Sequence, residues 1–249
     1  MNDSPLLAAD GAVATITLRR PDKANRLTPQ DLATLHAHIA SVNVQAEVLV
    51  LRLQAGGKYF CSGFDVGQIG DKLTIGFDTM VDALELARPV TIAVIQGGVY
   101  GGAVDMALAC DFRIGVTGGD MFNPAARLGL HYYATGLRRY VERMGLDAAK
   151  RLYLTAERIG AAEMHRIGYL TNLVEPAELV ATAEQLTITL AGMAPLALLG
   201  MKKNLNRVAR GTADAADIAR DCDTARNSAD LQEGRAAWAE RRAPKFSGR

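Results

Sequence analysis

Two glycine-rich stretches and one carboxylate are the parts of this sequence best suited to chemistry. The first, Gly57-Lys58-Tyr59-Phe60-Cys61-Ser62-Gly63-Phe64-Asp65, follows an apolar run and sets small residues and a glycine in a turn that can expose backbone N–H groups. The second, Gln96-Gly97-Gly98-Val99-Tyr100-Gly101-Gly102-Ala103-Val104-Asp105, crosses a bend and runs into a helix expected over 103–110. The first N–H groups of a helix are unpaired and lie at the positive end of its dipole. Two such donors meeting at one oxygen form an oxyanion hole. A thioester carbonyl needs one when loss of a proton or a carboxylate from its α-carbon moves negative charge onto that oxygen, and losing one donor costs about 3 kcal/mol.

Asp105 is the one acid in a helix that is otherwise apolar on every side, so it is expected to be buried. Buried and unpaired, it would titrate above the ordinary carboxylate range and could exchange a proton near neutral pH. It follows Gly102 by about one helical turn. The alternative reading is that Asp105 only complements the helix dipole in the first turn.

The elements that must hold these segments can be read from periodicity. Strands are expected over 12–18, 48–53, 90–95 and 112–116, and helices over 28–42 and 77–87. The first helix starts at Thr28-Pro29, a capping residue followed by proline in the first turn. Short apolar strands separated by helices predict an α/β protein with largely parallel pairing. Beyond residue 174 strand signals stop, and helices are expected over 176–191, 195–210 and 212–242.

In 249 residues, 49% are apolar and 22% charged, with a formal net charge of +1. This balance gives no case for a nucleic-acid or membrane partner. The first ten residues carry two acids and no long apolar run, unlike a targeting peptide. No uncharged stretch reaches the about 20 residues that span a bilayer. Cys61, Cys110 and Cys222 are odd in number and unclustered, so a reducing, cytoplasmic setting and no zinc site are expected.

An ordered set of motifs resembles the crotonase (enoyl-CoA hydratase/isomerase) superfamily. Phe60-Cys61-Ser62-Gly63-Phe64-Asp65 is similar to its F-x-x-G-x-D segment, and Gly101-Gly102-Ala103-Val104-Asp105 followed by Cys110-Asp111 to its G-G-x-x-[ED] and C-D pair. Arg20-Pro21-Asp22-Lys23-Ala24-Asn25, Ala125-Ala126-Arg127-Leu128-Gly129 and Gln232 to Phe246 resemble further segments, so the likeness runs along nearly the whole chain. It implies a spiral of β-β-α units over 1–190 and a helical trimerisation region over 191–249, giving a homotrimer or a dimer of trimers. It further implies an acyl-CoA substrate, with CoA belonging to the substrate and neither metal nor redox cofactor. The hole donors carry over as the N–H groups of Phe64 and Gly102, and Asp105 as the main acid/base. Ser62, Gly63, Asp65, Val66, Gly67, Ala125 and His131 become pocket residues, and Lys23 and Lys58 could reach CoA phosphates or simply be solvated.

The sequence departs from the pattern at Ala125, where hydratases of the family carry a second glutamate, and this speaks against ordinary two-carboxylate hydration. Tyr132 and Tyr133 stand nearby. A phenol is a poor base at neutral pH but a good hydrogen-bond donor; either tyrosine could polarise substrate or pack in the core, and His131 could be structural. A lyase or isomerase acting through Asp105, a decarboxylase of the methylmalonyl-CoA type using Tyr132, a hydrolase, and a CoA-binding scaffold without turnover all stay open.

Overall fold

The run Val90-Thr91-Ile92-Ala93-Val94-Ile95 lacks polar alternation, the mark of a strand covered on both faces. In the computed structural model, which describes residues 3–70 and 72–249, all six are buried. The reading of the first residues therefore lies outside the described residues at Met1 and Asn2. In chain order the elements are β1 (Leu6–Asp10), β2 (Val13–Leu18), α1 (Pro29–Asn43), β3 (Val50–Ala55), α2 (Phe77–Glu85), β4 (Val90–Ile95), β5 (Val99–Tyr100), α3 (Gly102–Leu108), β6 (Phe112–Val116) and β7 (Asp120–Phe122). There follow α4 (Ala134–Met144), α5 (Leu146–Thr155), β8 (Ile159–Gly160), α6 (Ala161–Arg166), β9 (Asn172–Val174), α7 (Leu179–Ala191), α8 (Pro195–Ala209), α9 (Ala215–Arg226) and α10 (Ala229–Glu240).

Among the described residues the main sheet runs β1-β2-β3-β4-β6-β9, parallel throughout except for the antiparallel β1–β2 edge. Alternation along its strands divides the core in two. Leu51, Leu53, Ala93 and Ile95 face Leu32, Leu35 and Ile39 of α1, Met80 and Leu84 of α2, and Ala103, Val104, Met106, Ala107 and Leu108 of α3. Val50, Ile92, Val94 and Ile114 face Leu179, Ala183 and Leu190 of α7. α1 starts as its sequence dictates. The Thr28 hydroxyl accepts from Asp31 N–H at 3.3 Å, and the Asp31 carboxylate accepts from Thr28 N–H at 2.8 Å.

The α/β architecture with parallel pairing is as expected, while several boundaries are not. β1 (Leu-Leu-Ala-Ala-Asp) is mostly exposed and carries no buried alternation, so nothing in its sequence marked it as a strand. β5, β7 and β8 form a second, three-stranded sheet whose strands of two or three residues are too short for periodicity to register. The helix expected over 212–242 is two helices, broken at Asn227 and restarted by Ser228, whose hydroxyl accepts from Leu231 N–H at 3.1 Å. A local cap of this kind outcompetes helix continuation in an alanine- and charge-rich stretch. No single helix among the described residues is long and apolar enough to cross a membrane.

Because β3 and β4 are parallel neighbours, the loops that leave them emerge side by side at the carboxyl end of the sheet. The loop after β3 is tied down by Asn25, itself in the left-handed region at φ 52°. Its side chain accepts from Arg20 N–H at 2.9 Å and donates to the carbonyls of Gly56 at 2.8 Å and Tyr59 at 2.9 Å. With Asn25 only 1% exposed, water cannot replace these bonds. Asn25→Ala is expected to cost about 2–4 kcal/mol in a urea titration; a loss below about 1 kcal/mol would mean the loop is fixed by other contacts.

Candidate functional site

The segment 60–64 is a rung between two others. On one side Ser62 N–H donates to Ala24 O at 2.9 Å, Leu27 N–H to Gly63 O at 2.8 Å and Asp65 N–H to Leu27 O at 2.9 Å. On the other, Phe60 N–H donates to Gly98 O at 3.1 Å and Tyr100 N–H to Cys61 O at 3.0 Å. In the parallel bridge of Leu27 with Phe64 both bonds belong to Leu27, so Phe64's own N–H points the opposite way, toward the 98–102 side. Gly63, at φ 91°, packs so closely there that a Cβ on it would lie 2.7 Å from Tyr100 O and 3.0 Å from Gly102 N. Gly102 opens α3 from a Gly101 at φ 56°, and its N–H is one of the helix's free donors. Neither the Phe64 nor the Gly102 N–H donates to another described residue.

These N–H groups border a cleft of about 410 Å³. Its walls are mostly apolar, with Val66, Ile69, Leu73, Phe77, Leu128 and Leu130 among them. The Phe77 ring lies over Gly102, where a Cβ would meet its Cζ at 2.6 Å, and packs against Phe64 and Tyr133 at centroid distances of 6.3 Å each. Asp78 lies at the exposed rim, and its carboxylate accepts from Thr79 N–H at 2.8 Å. Ala125 lines the cleft with a methyl group, and its N–H donates to Asn123 Oδ1 at 3.1 Å.

Asp105 is fully buried, as its helix predicted, but not unpaired. Both of its oxygens accept from Arg139 Nη1, at 3.0 and 3.1 Å, and Oδ2 also accepts from the Tyr133 hydroxyl. The expectation of an unpaired carboxylate is thereby corrected. The countercharge comes from α4, 34 residues along the chain, where Gly136 allows close approach to α3: a Cβ there would lie 2.9 Å from Asp105 Oδ2. Burial still pushes the Asp105 carboxyl above its ordinary range, against the pull of Arg139 and the Tyr133 hydroxyl. The Tyr133 hydroxyl is in turn driven far above an ordinary phenol, by burial first and then by the charge of Asp105.

Arg139 is fully buried as well and reaches further. Its Nη2 contacts Asp82 at 2.7 Å and Glu85 at 3.3 Å, both on α2. Glu85 also meets Arg138 at 2.8 Å and Arg210, at the end of α8, at 2.7 Å. Burial works to raise the Glu85 carboxyl, but the guanidiniums of Arg139, Arg210 and Arg138 hold it below its usual range.

Of the residues singled out in the sequence, Ser62, Phe64, Val66, Gly102, Ala125, His131, Tyr132 and Tyr133 line the cleft. Gly63 lies beneath them, and Asp65 ties the turn by accepting from Gly67 N–H at 3.2 Å and pairing with Arg26 at 3.4 Å. Asp105 does not itself border the cleft, because Tyr133 stands between. Tyr132 stacks on Tyr133 at 4.8 Å, and its hydroxyl has no partner among the described residues. Lys23 and Lys58 are exposed and do not line the cleft; the Lys58 ammonium lies 5.3 Å from the Tyr59 ring centroid. Sequence reasoning missed Arg139, Glu85 and Phe77. A signal for Arg139 existed in α4, where Gly136, Arg139 and Tyr140 form a buried stripe at helical spacing.

The profile of the enoyl-CoA hydratase/isomerase family matches residues 8–249. The short-chain-enoyl-CoA hydratase of Clostridium acetobutylicum is 32% identical over 210 residues, covering 81% of this chain and 80% of its own. The carnitinyl-CoA dehydratase of Salmonella typhi is 27% identical with both chains covered in full. A crystal structure described as an enoyl-CoA hydratase/carnithine racemase from Magnetospirillum magneticum superposes with a TM-score of 0.92 at 24% identity, over 100% of this chain and 97% of that one, a likeness of fold.

The contact of Gly63 with Gly102 can be tested on stability alone. Gly118, at φ 85°, has nothing within 4 Å of its would-be Cβ, so Gly118→Ala reports backbone strain without a clash. Gly63→Ala is expected to cost about 1–3 kcal/mol more than Gly118→Ala in chemical denaturation. Equal costs would show that the two segments can separate freely.

Proposed function

The chain belongs to the enoyl-CoA hydratase/isomerase family, and from that premise we propose that it moves a proton on the acyl group of a CoA thioester while the N–H groups of Phe64 and Gly102 hold the enolate oxygen. The observation carrying this reading is the packing of Gly63 against Gly102, which sets two unpaired backbone donors beside an apolar cleft that ends at Tyr133. Backbone donors fixed in place before reaction act strongly where water is excluded. Asp105, reached through Tyr133, is the main acid/base. A single shuttle suits isomerisation or a lyase step better than two-carboxylate hydration, since Ala125 offers no acid and Asp78 faces solvent at the rim.

A second reading is decarboxylation of a malonyl-type thioester. It draws on Tyr132, whose ring lines the cleft while its hydroxyl lacks a partner, and on the fact that loss of CO₂ requires no base. Three free thiols, with Cys61 and Cys110 buried and Cys222 exposed, fit a reducing cytoplasm. We also assign self-association, as a trimer or a dimer of trimers, to residues 191–249. Met201, Leu205, Val208 and Trp238 there are 59%, 69%, 58% and 88% exposed, an apolar surface that association would cover.

The catalytic reading is tested by incubating the protein in D₂O with crotonyl-CoA, a 3-enoyl-CoA, malonyl-CoA and methylmalonyl-CoA, followed by mass spectrometry. An enoyl-CoA is expected to gain deuterium, and Asp105→Asn and Tyr133→Phe are each expected to slow this about 10²–10⁴-fold. CO₂ release from the malonyl compounds, with enoyl-CoA untouched, would select the second reading, while binding without exchange or turnover would sink both. Light scattering at micromolar concentration should give three or six times the chain mass; a monomer would refute the assembly.

A further inference from the structure

Arg139 is the one cation in direct contact with Asp105 among the described residues, and neither side chain has any exposed surface. An arginine stays protonated in a protein, so its burial demands anions around it. Around this centre stand four carboxylates, Asp82 and Glu85 on α2, Asp105 on α3 and Glu142 on α4, which pairs with Arg138 at 2.6 Å, against three guanidiniums, Arg138 and Arg139 on α4 and Arg210 at the end of α8. The remaining neighbours that titrate are phenols: Tyr132 and Tyr133 before α4, Tyr140 on α4, Tyr153 on α5, and Tyr169, whose hydroxyl donates to Val104 O at 3.1 Å.

Resting on the reading of this site as a proton-transfer centre, we propose that Arg139 is a positioning residue: its guanidinium holds the Asp105 carboxylate in its ionised, accept-only form, and so turns the Tyr133 hydroxyl proton away from the cleft. An ionised carboxylate cannot donate, so in the contact between Tyr133 Oη and Asp105 Oδ2 the tyrosine must be the donor. The lone pairs of Tyr133 are then left to face substrate. Proton abstraction is a coupled transfer. A proton leaves the substrate carbon for Tyr133 Oη as the tyrosine's own proton passes to Asp105 Oδ2, and the C–H electron pair becomes the enolate. Return of the proton to a second carbon runs the same relay backward, so no co-reactant is consumed. Without Arg139, a carboxylate in this core would take up a proton, and Tyr133 Oη could become the acceptor with its own hydrogen aimed into the cleft.

The test is the pH profile of kcat for the whole 249-residue chain on crotonyl-CoA or a 3-enoyl-CoA, whichever exchanges deuterium faster, with Arg139→Gln, Arg139→Lys and Asp105→Asn side by side. Arg139→Gln is expected to move the acidic limb upward by about one pH unit or more, with turnover at pH 7 falling about tenfold, KM little changed and activity regained at higher pH. Arg139→Lys, which restores the charge, should bring the limb back toward the parent's. A uniform loss at every pH with the limb unmoved would overturn the proposal, leaving Arg139 a packing residue. Glu85→Gln supplies the opposite sign should Arg139→Gln fail to fold. It removes a like charge that raises the Asp105 carboxyl, so the limb should move to lower pH; an unmoved limb again overturns the proposal. Full activity in Asp105→Asn would instead sink the proton-transfer reading itself, an outcome distinct from an unmoved limb beside an inactive Asp105→Asn.

Discussion

The burial of one carboxylate inside an otherwise apolar helix constrains the rest of this molecule. α3 fills the centre of the larger core, and Asp105 goes in with it. Desolvating a lone charge costs several kcal/mol, so a counterion must come from inside the protein. Arg139 supplies it, and a cascade follows. α4 must approach α3 at a glycine, α2 must offer Asp82 and Glu85 to the far side of the guanidinium, and Glu85 then draws in Arg138 and Arg210. Helices from four parts of the chain are thus oriented by one buried charge.

The candidate site divides its labour between backbone and side chain. The N–H groups of Phe64 and Gly102 depend on chain geometry, on Gly63 at a positive φ and on the ladder through Leu27 and Tyr100, so the side chain at 64 is free to be a phenylalanine that packs on Phe77. The side-chain half is concentrated at Tyr133, which among the described residues is the cleft-lining side chain hydrogen-bonded to Asp105. With a methyl group at Ala125, the proposed proton transfer has one phenol and the acid behind it to run through.

What could be read from the sequence follows from how local each feature is. The strand β4, apolar but for Thr91, the capped start of α1 and the two glycine turns are encoded within a few residues and were legible. So was the burial of Asp105, since the apolar positions of its own helix imply it. Its pairing was not, because Arg139 lies 34 residues away, and the spacing of Gly136, Arg139 and Tyr140 that marks the buried face of α4 does not say which anion that face will meet. The exposed β1, the very short β5, β7 and β8, and the break at Asn227 escaped for the opposite reason: their local patterns are too weak to outweigh tertiary context. Lys23 and Lys58 were suggested by charge type alone, and charge type does not place a side chain.

The contacts of α8 bear on when the molecule becomes complete. Lys202 donates to Pro89 O across 113 residues and pairs with Asp111 at 2.7 Å, while Asn206 donates to Glu85 O across 121. Contacts of such sequence separation form late, after the chain between them has been closed into a loop. During synthesis the sheet and α3 can assemble while α8 is still within the ribosome, with Glu85 awaiting Arg210. α8 is therefore the clock of the protein's maturation: its arrival closes the charge network that reaches back to Asp105.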